Sequence, residues 1–307
     1  MEAHRAVLQK ESVQALVRDA DGEYVDCTYG RGGHTEVILE FLNPQGRLLV
    51  IDKDLQAIEH ANRLYGSDGR VTAVHGSFAD LKEHASQVGL GPLSGVLMDL
   101  GVSSPQLENG QRGFSFEHDG PLDMRMNQSS GVTATEWLAS VKEGQLADVI
   151  WKYGEEKFSR RIARTVVRSR IDAPIETTGQ LVRIIEEAVP TRERKKHPAT
   201  RSFQAIRIFI NNELGDLEKC LQAALQQLNK GGRLVVISFQ SLEDRIVKRF
   251  TRDHHRGDPF PARLPVRDAQ LSRKLKHIGK AIRASREEIA VNIRARSAVM
   301  RVAEKIV

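Results

Sequence analysis

Apolar residues change their period several times along the chain. Four short runs, rich in aliphatic residues and bounded by glycine or polar turns, predict strands over residues 23–28, 47–51, 70–74 and 95–98. Helices are predicted between them over 34–42 and 54–64, where Leu55, Ile58 and Ala61 follow a 3.6-residue period. Three repeats of strand, turn and helix imply a parallel sheet with right-handed crossovers. The alternation stops near Leu107. From there to Arg201 the pattern reads as helices, over 133–140, 143–151, 155–169 and 178–188, with Leu181, Ile184, Ile185 and Ala188 on one face of the last. One long helix is predicted over 202–228, stopped by Gly231-Gly232. Arg233-Leu-Val-Val-Ile-Ser-Phe239 reads as a buried strand, and 297–303 as a closing strand paired with 275–282. The fold class is therefore α/β, a mostly parallel sheet with a helical insert. Residues 1–106 and 202–307 form one domain, and 107–201 the other.

Composition narrows the class further. The chain has 307 residues, 40% of them hydrophobic and 28% charged, which excludes collagen-like, mucin-like and wholly disordered proteins. Aromatics are only 5%, so the core should rest on Leu, Val, Ile and Ala. No run approaches the roughly 20 apolar residues of a membrane helix. The first eight residues lack the apolar segment of a secretory leader. Both readings point to the cytosol. Cys27 and Cys220 cannot build a disulfide framework and lack zinc-site spacing. A net charge of +6 permits a polyanionic partner without requiring one.

Candidate chemistry gathers at the predicted strand ends, where open parallel sheets bind ligands. Asp26-x-x-x-Gly30-x-Gly32-Gly33-His34 joins the first strand to its helix, and its glycines would let backbone approach a ligand at the helix N-terminus. Asp52 follows the second strand, 20 residues after Gly32, where a carboxylate can accept both hydroxyl hydrogens of a ribose; Asp54 competes with it as the helix cap. Asp99 ends the fourth strand. Together these predict an adenosine-type cofactor site. A dinucleotide fingerprint would need glycine where Thr35 stands, no P-loop is present, and Asp26 would repel a pyrophosphate. An acidic turn suits a cationic ligand such as S-adenosylmethionine, favouring a methyltransferase over a dehydrogenase.

Longer motifs add a resemblance. Gly30-Arg-Gly-Gly-His34, Asp99-Leu-Gly-Val-Ser-Ser-Pro-Gln106, Arg112-Gly-Phe-Ser-Phe116, Gly120-Pro-Leu-Asp-Met-Arg-Met126, Ser238-Phe-Gln-Ser-Leu-Glu-Asp-Arg245 and Arg294-Ala-Arg-Ser-Ala298 resemble the bacterial small-subunit (16S) ribosomal RNA cytosine-N4 methyltransferase family, from His4 to the C-terminus. The chain departs from that family at Gln240 and Ile293, where histidine and proline are usual. The resemblance implies a class I (Rossmann-like) methyltransferase fold. It also implies S-adenosylmethionine contacts at Gly32, Gly33, His34, Asp52, Phe78, Asp99 and Gln106. The residue reading alone reaches the glycines, His34, Asp52 and Asp99. Taken alone, Phe78 reads equally as a core aromatic and Gln106 as a polar loop residue.

Transfer to an exocyclic amine needs acceptors for its hydrogens, and Asp99 with the Ser103-Ser104-Pro105 carbonyls are the candidates; Asp99 is the catalytic candidate. No metal is expected. A C5-cytosine mechanism would need a cysteine near this loop, and neither cysteine is there. The expected partner is 16S rRNA or the assembled small subunit. Lys157, Arg160, Arg161, Arg164 and Arg168 on one helical face, and Arg192 to His197 with Lys195 and Lys196, offer phosphate contacts, with Arg294 and Arg296 as further RNA candidates. His254-His255 reads as a surface loop rather than a metal site. Other readings are a methyltransferase on another nucleic acid or amine, or a catalytically silent RNA-binding assembly factor.

Overall fold

The computed structural model describes residues 6–190, 197–257 and 271–307. It divides into two compact units, Met1–Gly101 with Leu214–Val307, and Val102–Glu213.

The first unit carries α1 (Gln9–Leu16), β1 (Glu23–Asp26), α2 (Gly33–Phe41), β2 (Arg47–Asp52), α3 (Leu55–Tyr65), β3 (Val71–His75), α4 (Leu81–Gln87) and β4 (Leu93–Asp99). The predicted strands and helices of this half are all present, with ends moved by one or two residues. Asp54 caps α3 through the Gln56 N–H, which leaves Asp52 free of that task. β1 pairs in parallel with β2 and β4, and β2 with β3. With β5 (Leu228–Ser238) parallel to β4, the order begins β3-β2-β1-β4-β5, the doubly wound arrangement expected of a Rossmann-like fold.

Alternate strand residues point to opposite faces, and both faces are covered. Val25, Leu49, Val96, Met98, Leu234 and Val236 share one core cluster, while Tyr24, Leu48, Val50, Leu97, Val235 and Ile237 share another. Continuous apolar strands are what burial on both faces demands. The second face is closed by α1 through Val13 and Leu16, a helix the sequence reading did not predict. Its exit is pinned by Tyr24 of β1. The fully buried phenol accepts from the Arg18 and Asp19 N–H groups and donates to the Asp19 carbonyl.

The second unit holds α5 (Ser104–Glu108), α6 (Ala134–Ser140), α7 (Glu143–Gly154), α8 (Ser159–Asp172), α9 (Thr178–Ala188) and α10 (Ala199–Ile210), with an isolated Pro121–Thr177 bridge as its β structure among the described residues. Leu138, Leu146, Ile150, Ile162, Val166, Leu181 and Ile185 form its core with Phe203 and Ile206 of α10. That packing moves the boundary. The sequence reading ended the insert at 201, whereas Phe203 and Ile206 belong to its core and the unit runs from Val102 to Glu213.

The predicted helix over 202–228 is two helices, α10 and α11 (Glu213–Gln227). Asn211 breaks it: its amide donates to the Met124 and Arg207 carbonyls and accepts from the Met126 N–H. Asn212 then takes a left-handed φ of 50°, and Arg207 grips Glu213 through two hydrogen bonds of 2.7 and 2.8 Å. Gly231-Gly232 is no helix stop either. It lies in the irregular first half of β5, where pairing with β4 shifts register.

The chain ends with α12 (Ser241–Arg256), β6 (Leu275–His277), β7 (Ile282–Arg283), α13 (Arg286–Val291) and β8 (Val299–Lys305). β8 is antiparallel to β5 and pairs with β6 and β7, close to the predicted closing strand and its partner. Tyr24→Phe should destabilise the protein by ~0.5–1.5 kcal/mol, because the part-buried bonds to the Arg18 and Asp19 backbone are lost. Denaturant unfolding measures the loss.

Candidate functional site

β1, β2 and β4 are neighbours in parallel, so their carboxyl ends bring Asp26, Asp52 and Asp99 to one edge of the sheet. The turn after β1 is fixed from both sides. The Tyr29 N–H donates to the Ile51 carbonyl, and the Gly32 N–H to the Tyr29 carbonyl. Gly32 has φ 79° and caps α2, and a Cβ there would lie 2.8 Å from the Tyr29 hydroxyl. Only glycine fits that combination of conformation and space. The Asp26 carboxylate is wholly buried and accepts from the Thr28 N–H and the Thr35 hydroxyl. Burial pushes its pKa up, against the lowering effect of the His34 charge and these hydrogen bonds.

Asp52 accepts from the Gly30 N–H at 2.8 Å on one oxygen and from the Asp54 N–H at 2.8 Å on the other. Each oxygen keeps a further lone pair. Burial raises this carboxyl to about 6, with the two N–H groups working the other way. Beside it Lys53 is tied to Asp216 of α11 at 2.5 Å, and the Ser77 hydroxyl donates to the same carboxylate. Ser77 and Phe78 open the short turn after β3, and Phe78 is half-buried against the core face that contains Leu81.

At the end of β4, the Asp99 N–H donates to the Thr28 hydroxyl. Asp99 Oδ2 lies 3.3 Å from His34 Nε2, an ion-pair contact. The other ring nitrogen, Nδ1, is 3.1 Å from the Ser12 hydroxyl of α1. Asp99 Oδ1 and His34 Nε2 are both buried and neither makes a well-formed hydrogen bond, so the pair is held by charge. Burial works to lower the His34 pKa, but the adjacent Asp99 carboxylate and the charge of Asp26 outweigh it, and the net shift is upward.

The structure thus brings together Gly32, Gly33, His34, Asp52, Phe78 and Asp99 within the first unit. Gln106 belongs to the second unit, on helix α5 rather than in a loop, buried, with its Oε1 accepting from the Ser103 N–H. Lys195 and Lys196 lie outside the described residues. Arg294 and Arg296 sit on a 3-10 turn before β8, the first half-buried and the second exposed. Lys157, Arg160, Arg161, Arg164 and Arg168 are all exposed, the arginines on α8. His254 and His255 end a helix instead of occupying a loop, and their Nδ1 atoms bond the Phe250 and Leu275 carbonyls. No metal-holding group occurs among the described residues. Cys27 is buried, and burial pushes its thiol well up, the opposite of what a nucleophile needs. Ser12, Lys53 and Asp216 were not singled out in the sequence. Only Lys53, next to Asp52, carried a positional hint.

The model of the MraW methylase family matches residues 1–306. The chain belongs to that family. It is 54% identical over 307 residues to the ribosomal RNA small subunit methyltransferase H of Marinomonas sp. strain MWYL1, a match covering 100% of this chain and 98% of that protein. It is 55% identical over 305 residues to the protein of the same name from Chromohalobacter salexigens, covering 99% and 92%. For the Legionella pneumophila strain Paris protein of that name the figure is 50% over 307 residues, covering both chains fully. No helix of this methylase, among the described residues, is long and apolar enough to cross a membrane.

The raised carboxyl gives a pH signature. Asp52 should titrate with a midpoint near 6 in carboxyl-detected NMR of the free protein. A ligand whose hydroxyls donate to both oxygens needs the ionised form, so its affinity should fall as pH drops through 6, by up to about tenfold per pH unit. In Asp52→Asn that dependence should vanish, and a retained dependence would assign it to another group.

Proposed function

We propose that this methylase transfers a methyl group from S-adenosylmethionine to N4 of a cytidine in 16S ribosomal RNA, in the cytoplasm, on free RNA or the assembled small subunit. The observation that carries the reading is Asp99: one carboxylate oxygen is engaged by His34, and the other is buried and unpartnered at the strand end. The cofactor fits the residues present. Asp52 has a lone pair free on each oxygen for the ribose hydroxyls. Gly32 holds the left-handed turn that opens α2 beneath the ligand position, and half-buried Phe78 offers an aromatic face to adenine. Three carboxyl groups and no pyrophosphate-binding lysine favour a ligand bearing sulfonium and ammonium charges. Gly33, His34 and Gln106 complete the proposed cofactor contacts.

When bound, S-adenosylmethionine supplies an electrophilic methyl group on a sulfonium. The chain's part is to hold the acceptor in line and manage its hydrogens. The cytosine amine is a weak nucleophile because its lone pair is delocalised into the ring. An acceptor aimed at one of its N–H groups favours the positive charge that grows on nitrogen. The partly exposed Asp99 carboxylate is that acceptor in this reading. A C5 mechanism finds no thiolate, since Cys27 is buried and its thiol pushed up. The target base must be presented unpaired. The exposed cations of α8, with Lys195, Lys196, Arg294 and Arg296, are assigned to the RNA backbone.

Asp99→Asn tests the chemistry. The amide puts a donor where the amine needs an acceptor, and removing one preorganised partner costs about 2.7–4 kcal/mol in the barrier, or 10²–10³-fold in rate. Single-turnover methylation at saturating cofactor should stay that slow. A return to the native rate at high cofactor would reduce Asp99 to a binding role. Mass mapping of rRNA from a deletion strain, complemented with each form, identifies the base.

Neutralising Arg160, Arg164 and Arg168 together tests the insert. RNA affinity should fall and the slope of log K against log salt should flatten by about 2, roughly 0.7 per lost phosphate contact. Cofactor affinity should be untouched. An unaltered slope would return these arginines to solvent.

A further inference from the structure

The hydrogen bonds around His34 determine where its protons sit. The Ser12 hydroxyl has one hydrogen and two polar neighbours, the Gln9 carbonyl at 3.0 Å and His34 Nδ1 at 3.1 Å. A carbonyl can only accept, so the hydroxyl hydrogen goes to Gln9. Ser12 Oγ is then an acceptor toward the ring, and Nδ1 must carry a hydrogen. On the far side, Nε2 faces Asp99 Oδ2 at 3.3 Å. A bare Nε2 lone pair would repel that carboxylate, so Nε2 needs a hydrogen as well.

We propose that Ser12 is a positioning residue that holds His34 as a doubly protonated imidazolium, and that this cation grips Asp99 through Oδ2 and so sets the orientation of the carboxylate toward the reacting amine. The assignment of the carboxylate to the amine rests on the function proposed above; the protonation of His34 does not. Other charged groups bear on the same ring. Asp26 at the end of β1 adds a second negative charge, and from the α1 side the contact is the uncharged Ser12. The charges therefore favour the cation, in line with the upward shift of His34. A raised histidine keeps its proton to higher pH than a free imidazole and loses it as pH rises through its folded midpoint. With Nδ1–H held by Ser12, the hydrogen lost is the one facing Asp99. The turnover rate should then fall on the alkaline side.

The test has two parts. Nitrogen-15 NMR of the native free protein at neutral pH should show both His34 ring nitrogens protonated, a readout independent of activity. One pyridine-type nitrogen there would overturn the proposal, because it would mean that the Ser12 hydroxyl turns to donate to a neutral ring. Second, Ser12→Ala should lower the His34 midpoint by about one pH unit, the scale of one hydrogen bond to a charged group. The alkaline limb of kcat should coincide with that midpoint in the native enzyme and move down with it in the variant. Ser12→Thr, which keeps the hydroxyl, should restore both. A limb unmoved in Ser12→Ala would also overturn the proposal, and the NMR measurement decides the protonation whether or not that variant folds. If the ring is doubly protonated and the limb moves while Asp99→Asn retains the native rate, the positioning of Asp99 survives and the amine-acceptor reading fails.

Discussion

Three carboxyl groups at the ends of three adjacent parallel strands are the constraint on which this site depends. Parallel pairing leaves no freedom in the matter: Asp26 is opposite Val50 and Leu97 in register, Asp52 opposite His75, and Asp99 opposite Ile237. Acidic side chains so placed repel one another, and each is compensated differently. Asp26 is buried among hydroxyl and amide donors and its pKa rises. Asp52 takes two backbone N–H groups. Asp99 takes an imidazole. Lys53, the nearest lysine along the chain, is held by Asp216. The result is a polar edge whose balance favours a cation, with backbone donors pointing into the glycine turn.

Much of this was legible in the sequence because it depends on local order. Strand, glycine turn and helix recur within about thirty residues, and the aspartates fall where apolar runs stop. What was not legible depends on partners far along the chain. Ser12 meets His34 from a helix of eight residues whose apolar positions are too few for a periodic signal. Asp216 reaches Ser77 and Lys53 across more than a hundred residues. The break at Asn211 is set by the carbonyls of Met124 and Arg207, and the local helical pattern continues through it. Gly231-Gly232 has the composition of a helix stop, and only pairing with β4 makes it strand.

The insertion point follows the same logic. The chain leaves the sheet two residues after Asp99, at Gly101, where φ is 109°, and the second unit begins at Val102. In open α/β sheets the carboxyl end of a strand is where insertions do least harm to the ladder and where ligands bind. Here the insert is large enough to bury its own core, with Phe203 and Ile206 recruited from beyond the predicted boundary. Its folding therefore need not draw on the sheet.

The Ser12–His34–Asp99 line shows how burial gives a site direction. The imidazole is 4% exposed and the carboxylate 22%. The cation is the deeper of the two, anchored to a helix, and the anion is partly exposed. Burying an ion pair is costly in itself and is weak evidence for stability. A neutral apolar pair would fill the same space without leaving Asp99 Oδ1 unpartnered. What the pair achieves is geometric: Oδ2 is engaged from the interior, so the carboxylate cannot rotate without losing its counter-charge. An acceptor held in that way needs no reorganisation when a donor arrives, which is the condition under which a single buried oxygen contributes most to a reaction.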